Sequence, residues 1–236
     1  MNKSNSLKKL ANTRSRSVGA AVAGALLSFG MLLAVTAIAF FAWMAEEVFE
    51  GDSMAFDNAV REFVHSYAAG WLTGVMHFFS FLGSTAFLAT VTVLLAGALL
   101  YMGRRRSAVL LAVVMVGVIP LNYVLKTYFV RARPEAYFDT PLPASFSFPS
   151  GHSLFSACFF GVLAWLIASR TNSLAIKIGA WTLAAVIVLF IGLSRIYLGV
   201  HFPTDVVAGY TAAFVWLSAV VLTDAIVARS LLPRKQ

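Results

Sequence analysis

The sequence predicts an all-α fold: a polytopic membrane helical bundle with six transmembrane helices and one short amphipathic interfacial helix. Three observations predict it. The 236 residues are 60% hydrophobic and only 12% charged, with a mean hydropathy of +0.82, whereas soluble domains carry about a quarter charged residues. Six apolar runs approach the ~20 residues that a helix needs to cross a hydrocarbon core. The basic residues fall between those runs and not along one face. The net charge of +8 therefore reflects topology and not a nucleic-acid footprint. No zinc-finger, Walker or dinucleotide pattern is present. The single Cys158 excludes an internal disulfide and reads as a small buried hydrophobe.

Residues 1–17, MNKSNSLKKLANTRSRS, are polar and basic and are predicted to form a cytoplasmic tail. The apolar run from Val18 to Ala45 is much longer than the roughly 7–15-residue core of a cleaved signal, so it is read as a retained first span. Next comes an acidic loop, Glu46 to Gly70. Within it Phe56, Val60, Phe63, Val64 and Tyr67 recur at helical spacing, with Asp57, Arg61 and Glu62 between them. That pattern predicts the amphipathic helix over 53–67, lying at the outer interface or packed on the bundle. The second span lies within Trp71 to Met102 and the third within Ser107 to Leu125. The fourth runs from Ser153 to Ser169, the fifth from Leu174 to Leu193 and the sixth from Val206 to Val227. One six-span domain thus covers 18–228, and a second basic tail covers 229–236.

Six spans return the chain to its starting side. Lys3, Lys8, Lys9, Arg14 and Arg16 precede the first span, and Arg104, Arg105 and Arg106 separate the second from the third. Arg170 and Lys177 flank the turn between the fourth and fifth, and Arg229, Arg234 and Lys235 follow the sixth. Thirteen of the eighteen basic residues share that side, which the positive-inside rule makes cytoplasmic. A multi-pass protein of the plasma membrane with both termini inside is predicted. Asp224, in the sixth span, lies near enough to its end to reach the headgroups. Only Arg61, Lys126, Arg131, Arg133 and Arg195 fall outside, and four of them belong to the chemistry-bearing segments.

Those segments are KTYFVRARP from Lys126, PSGH from Pro149 and SRIYLGVHFPTD from Ser194. The topology brings them to one face. Lys126 and Arg195 stand at outward C-terminal helix ends, where the dipole favours cations. PSGH and HFPTD stand at outer N-termini, whose free N–H groups suit an anion. Gly151 allows close backbone approach and Ser150 adds a hydroxyl near the cap. Such a set suits a phosphoryl group with its charged oxygens. Asp205 lies about one turn beyond His201, placed to hold one imidazole nitrogen and leave the other nucleophilic. His152, from a different helix, is placed to protonate a departing oxygen. Arg131 is expected to be solvated or to meet lipid headgroups.

The three segments satisfy K-x6-R-P, P-S-G-H and S-R-x5-H-x3-D in order over 126–205. The chain thereby resembles the type 2 phosphatidic acid phosphatase superfamily of integral-membrane lipid phosphatases. The resemblance implies hydrolysis without a metal or other cofactor, through a phosphohistidine. His201 would be the nucleophile, Asp205 its orienting partner and His152 the general acid. Lys126, Arg133, Ser150, Gly151, Ser194 and Arg195 would bind the phosphate.

The implied partners are a membrane lipid phosphate and the bilayer, with no nucleic acid. Similar bacterial proteins act on undecaprenyl diphosphate, phosphatidylglycerophosphate, phosphatidic acid or diacylglycerol diphosphate. An outward site favours undecaprenyl diphosphate, which is released outside during wall-polymer assembly. Transfer of the phosphate to a second lipid is the alternative within the same chemistry. An anion transporter would instead distribute ionisable groups through the depth of the spans. The six long apolar runs oppose a soluble haloperoxidase.

Overall fold

The computed structural model describes residue 28 and residues 30–138 and 140–230. The basic tail over 1–17, the start of the first span and most of the C-terminal tail lie outside the described residues. Among the described residues all regular structure is helical. The helices are α1 Gly30–Glu50, α2 Met54–His65, α3 Gly70–Leu82, α4 Thr85–Tyr101, α5 Arg105–Phe129, α6 Gly151–Ala168, α7 Leu174–Tyr197 and α8 Pro203–Ser230. The chain divides into two compact units, Met1–Thr36, helical where described, and Ala37–Gln236, which contains α2 to α8.

Five helices, α1, α5, α6, α7 and α8, are long and apolar enough to cross a membrane. The predicted second span is divided between α3 and α4, which are long and apolar enough only when taken together and meet at a bend of 48°. The run from Trp71 to Met102 hides this break because its composition stays apolar throughout. The bend arises where Gly83 ends α3 and the Ser84 hydroxyl caps α4 by accepting the Phe87 N–H. A hydrocarbon solvent offers no hydrogen bonds, so hydroxyls on these helices must be satisfied internally. Thr127, Thr211 and Thr223 donate to carbonyls one turn back, Tyr123, Val207 and Ala219.

Helix α6 sits at the centre and packs against α4, α5, α7 and α8. Its neighbours supply Leu111, Val114 and Val118 from α5 and Ala212 and Ala213 from α8, against its own Leu154, Cys158 and Val162. The backbones of α6 and α8 approach closely near their N-termini. A Cβ on Gly209 would stand 2.7 Å from the Ser150 carbonyl oxygen and 2.9 Å from the Ser153 Cβ. Only a residue without a side chain permits that approach, and it brings the two N-termini together. The Ser150 N–H then donates to the Asp205 carbonyl at 2.9 Å.

At the opposite end Arg106 of α5 pairs with Asp224 of α8 at 2.7 Å, so Asp224 ties helix ends together. Helix α2 forms where the periodicity predicts it, with Asp57 and Arg61 turned inward and Glu62 exposed. Asp57 and Arg61 are buried, while Phe56, Phe63 and Tyr67 are at least 60% exposed. The helix thus packs through its polar side and leaves its aromatic stripe uncovered by protein. Phe148, in the loop before α6, is fully buried between Phe41 and Phe129, and so belongs to the core and not to a lipid-facing surface.

Candidate active site

Four helix ends converge: the C-termini of α5 and α7 and the N-termini of α6 and α8. The chain leaves α5 through Val130, which adopts a left-handed conformation with φ +48°. That conformation costs an L-residue roughly 1–2 kcal/mol, and it turns the 131–150 segment back over the bundle end. The Ser147 N–H donates to the Arg131 carbonyl and the Tyr137 N–H to the Leu198 carbonyl, tying the segment down. On the α7–α8 side Gly199 makes the turn with φ +75°, and a Cβ there would collide with Tyr137.

His201 lies in the α7–α8 turn and is buried. Its Nδ1 stands 3.2 Å from Asp205 Oδ2 and 3.3 Å from Ser147 Oγ, and its Nε2 stands 2.9 Å from Arg133 Nη1. A guanidinium can only donate, so Nε2 accepts and the ring proton resides on Nδ1, facing Asp205. Burial holds the ring's pKa well below the ordinary histidine range, against the opposing pull of Asp205. The imidazole is therefore neutral at physiological pH, with an unprotonated nitrogen among cations. That is the state a nitrogen nucleophile requires.

Asp205 sits in the first turn of α8 and is fully buried. Its Oδ2 accepts from Ser147 Oγ at 2.5 Å and from the Phe202 N–H at 2.9 Å, besides facing His201. Its Oδ1 accepts from Arg131 at 2.7 Å. Lys126, in the last turn of α5, is nearly buried and donates to the Phe146 carbonyl at 2.5 Å. Arg133 spreads its guanidinium over the Ser145 and Val200 carbonyls as well as His201.

Arg195, on α7, donates through Nη1 to Ser80 of α3. Among the described residues its Nε is buried without an acceptor, a state that costs about 1–3 kcal/mol. The side chains of Arg195, Arg133 and Lys126 are all close enough for their charges to act on His152 at the start of α6. His152 also lies against Gly83 at the α3–α4 bend.

Ser150 caps α6, its hydroxyl accepting from the Ser153 N–H at 3.4 Å and the Ser153 hydroxyl at 3.1 Å. Gly151 begins the helix. A Cβ there would meet Asn122, Phe155 and Lys126 only at ordinary van der Waals distances of 3.5–3.9 Å. Packing within the chain therefore does not demand glycine at 151. Ser194 stands apart from the group: its hydroxyl donates to the Ile191 carbonyl at 2.6 Å, inside its own helix. Its proton is thus spent locally and does not point into the cluster.

Sequence reasoning missed four participants. Arg131 is neither solvated nor turned to headgroups: its side chain is 8% exposed and it forms ion pairs of 2.7 Å with both Asp57 and Asp205. Arg61 donates to the Glu135 and Gly199 carbonyls and holds the two loops together. Both arginines carry a signal in the sequence, since they break the charge rule on the basic-poor side. Ser147 and Asp57 carry none, because a loop serine and a helical aspartate are commonplace until the fold gives them partners.

The PAP2 superfamily pattern matches residues 107–226, which hold all three motifs. Over 178 residues the chain is 32% identical to phosphatidylglycerophosphatase B of Bacillus subtilis, covering 75% of this chain and 87% of that protein. It is 31% identical to an undecaprenyl-diphosphatase of Sulfolobus acidocaldarius, over 62% of this chain and 68% of the relative. The fold matches the crystal structure of a transmembrane PAP2-type phosphatidylglycerolphosphate phosphatase from Bacillus subtilis. The TM-score is 0.76 and the identity 30%, covering 86% of this chain and 98% of that one. Sequence and architecture agree with what the three motifs lead one to expect, and the chain belongs to the PAP2 superfamily.

Proposed function

We propose that the protein is a membrane lipid phosphatase that removes phosphate from a lipid monoester or diphosphate through a phosphohistidine on His201. One observation carries the reading. A neutral imidazole has Nδ1 held by Asp205 and Nε2 unprotonated, beside Lys126, Arg133, Arg195 and the start of α6. The cations and the N–H groups of α6 receive the phosphate oxygens. As those oxygens become the acceptors of Arg133, its Nη1 releases the Nε2 lone pair. Nε2 then attacks phosphorus, and the proton on Nδ1 stays beside Asp205, which stabilises the cationic ring. With the anionic phosphate offsetting those cations, His152 takes up a second ring proton, and the bond to the leaving oxygen breaks as that oxygen takes this proton. In the second half His152 accepts a proton from water, water attacks phosphorus, and the P–N bond breaks to release orthophosphate.

The distribution of basic residues supports an outward site with both termini cytoplasmic. An outward site favours undecaprenyl diphosphate, ahead of phosphatidylglycerophosphate and phosphatidic acid. The names of the relatives, a phosphatidylglycerophosphatase and an undecaprenyl-diphosphatase, fit that range. Purified protein in detergent micelles, given each of these lipids with a chelator present, is expected to release free orthophosphate at the rate seen without chelator. Loss of activity in chelator contradicts the metal-independent route. Label recovered in a second lipid contradicts hydrolysis.

Gly151 gives an independent check. Because the chain's own packing tolerates a Cβ there, Gly151→Ala is expected to keep its melting temperature or raise it slightly, alanine being the better helix former. A phosphate lying on the α6 N-terminus would meet the new methyl. The account therefore expects kcat/KM to fall about tenfold or more while the fold persists. Kinetics paired with a thermal melt check this.

A further inference from the structure

Asp57 lies outside all three motifs and Arg131 fills an unspecified position of the first, yet their side chains are enclosed, at 0% and 8% exposure. Each arm of the Arg131 guanidinium has its own carboxylate. Nη1 donates to Asp205 Oδ1 at 2.7 Å and to Thr204 Oγ1 at 2.8 Å. Nη2 donates to Asp57 Oδ2 at 2.7 Å and to Ser53 Oγ at 3.4 Å. The guanidinium also stacks on Phe202, 4.2 Å from the ring centroid. Asp57, from α2, accepts the Thr204 N–H on Oδ1 at 3.0 Å and the Thr204 hydroxyl on Oδ2 at 2.7 Å. A residue of one helix thus caps the N-terminus of another, the one whose first turn carries Asp205.

We propose that Asp57 and Arg131 are positioning residues for the phosphoryl-transfer step. Asp57 fixes Arg131, and Arg131 holds Asp205 Oδ1 so that Oδ2 stays on His201 Nδ1. This rests on the reading of His201 as nucleophile. The geometry supplies the orientation: a carboxylate anchored at one oxygen by a forked, buried guanidinium cannot rotate away from the imidazole.

The charge count supplies the energetics. Two carboxylates and one guanidinium leave one formal negative charge in excess on the Nδ1 side of the ring. Arg133 and Arg195 act on the ring as cations, and Arg133 does so from the Nε2 side. Bonding phosphorus to Nε2 while the proton remains on Nδ1 makes the ring cationic, and the excess negative charge is then matched. Helix α2, whose aromatic stripe lies uncovered, is thereby linked to the reacting imidazole through the Arg131 guanidinium and the Thr204 cap.

Asp57→Asn separates the charge from the cap, because an amide oxygen still accepts the Thr204 N–H. The expected result is a fall in kcat of about ten- to hundredfold, the range seen when a partner orienting a reacting group is lost. KM should stay within about twofold. Phosphoenzyme formation slows while its hydrolysis does not, so the steady-state labelled fraction falls as well. Asp57→Glu, which restores the charge, should recover part of kcat. Arg131→Lys, with its single ammonium unable to fork between two carboxylates, should lower kcat similarly and is the second variant if Asp57→Asn fails to fold.

Wild-type kcat in either variant overturns the proposal, as does a change confined to KM. A parallel loss of melting temperature and kcat in both variants overturns it in favour of a purely structural cap. His201→Ala, run alongside, separates the two levels of the account. Retained phosphate release there defeats the nucleophile reading and this inference with it. An inactive His201→Ala beside a wild-type Asp57→Asn defeats this inference alone.

Discussion

Replacing His201 by alanine is expected to lower phosphate release by roughly 10⁴–10⁶-fold, the range for losing a nucleophile whose supporting groups act only through it. Substrate affinity should persist, because Lys126, Arg133 and Arg195 hang on neighbouring elements and not on His201. Lys126 is tied to the Phe146 carbonyl, Arg133 to Ser145 and Val200, and Arg195 to Ser80. The ring is buried within the α7–α8 turn, so truncation also leaves a small cavity. A thermal melt therefore accompanies the kinetics. A folded protein that binds lipid phosphate and does not turn it over is the expected outcome.

His152→Ala separates two substrate classes. A lipid monoester expels an alkoxide, which needs a proton, whereas a lipid diphosphate expels a phosphate monoester that departs readily as an anion. General acid catalysis contributes about 10²–10⁴-fold, so monoester cleavage should fall by that amount. The first half-reaction on a diphosphate should fall far less. The second half-reaction needs His152 as a base towards water in both cases. With a diphosphate the variant should therefore stall after phosphoryl transfer and accumulate the phosphoenzyme. Equal defects on both substrates, with no accumulation, would remove His152 from the proton-transfer role. Stability should change little, since among the described residues the His152 side chain makes no hydrogen bond.

The spans and the convergence of the three segments were legible in the sequence because both rest on local, periodic information. Hydropathy marks each crossing, and the alternating direction of successive crossings decides which ends meet. Other features depend on partners that no local pattern names. The bend between Leu82 and Thr85 is invisible within an unbroken apolar run. In α2 the periodicity separates Asp57 and Arg61 from Phe56, Phe63 and Tyr67. Which face meets the protein is nevertheless decided by distant groups: Arg131 and Thr204 for Asp57, and the Glu135 and Gly199 carbonyls for Arg61.

Arg131 shows the same limit. Its position on the basic-poor side announces that it needs a reason, but the reason is two carboxylates 74 residues away on either side. The Ser194 hydroxyl shows the converse. A motif position implied phosphate contact, and the helix claimed the hydroxyl through its own Ile191 carbonyl.

The central claim is the covalent intermediate on His201. It is tested most directly by incubating His152→Ala with a lipid diphosphate labelled in its terminal phosphate, then quenching and separating the protein. The account predicts label on the protein that survives alkali, is lost in mild acid and is absent when His201 is also alanine. Label that persists without His201, or phosphate release that continues in the His201→Ala protein, would contradict it.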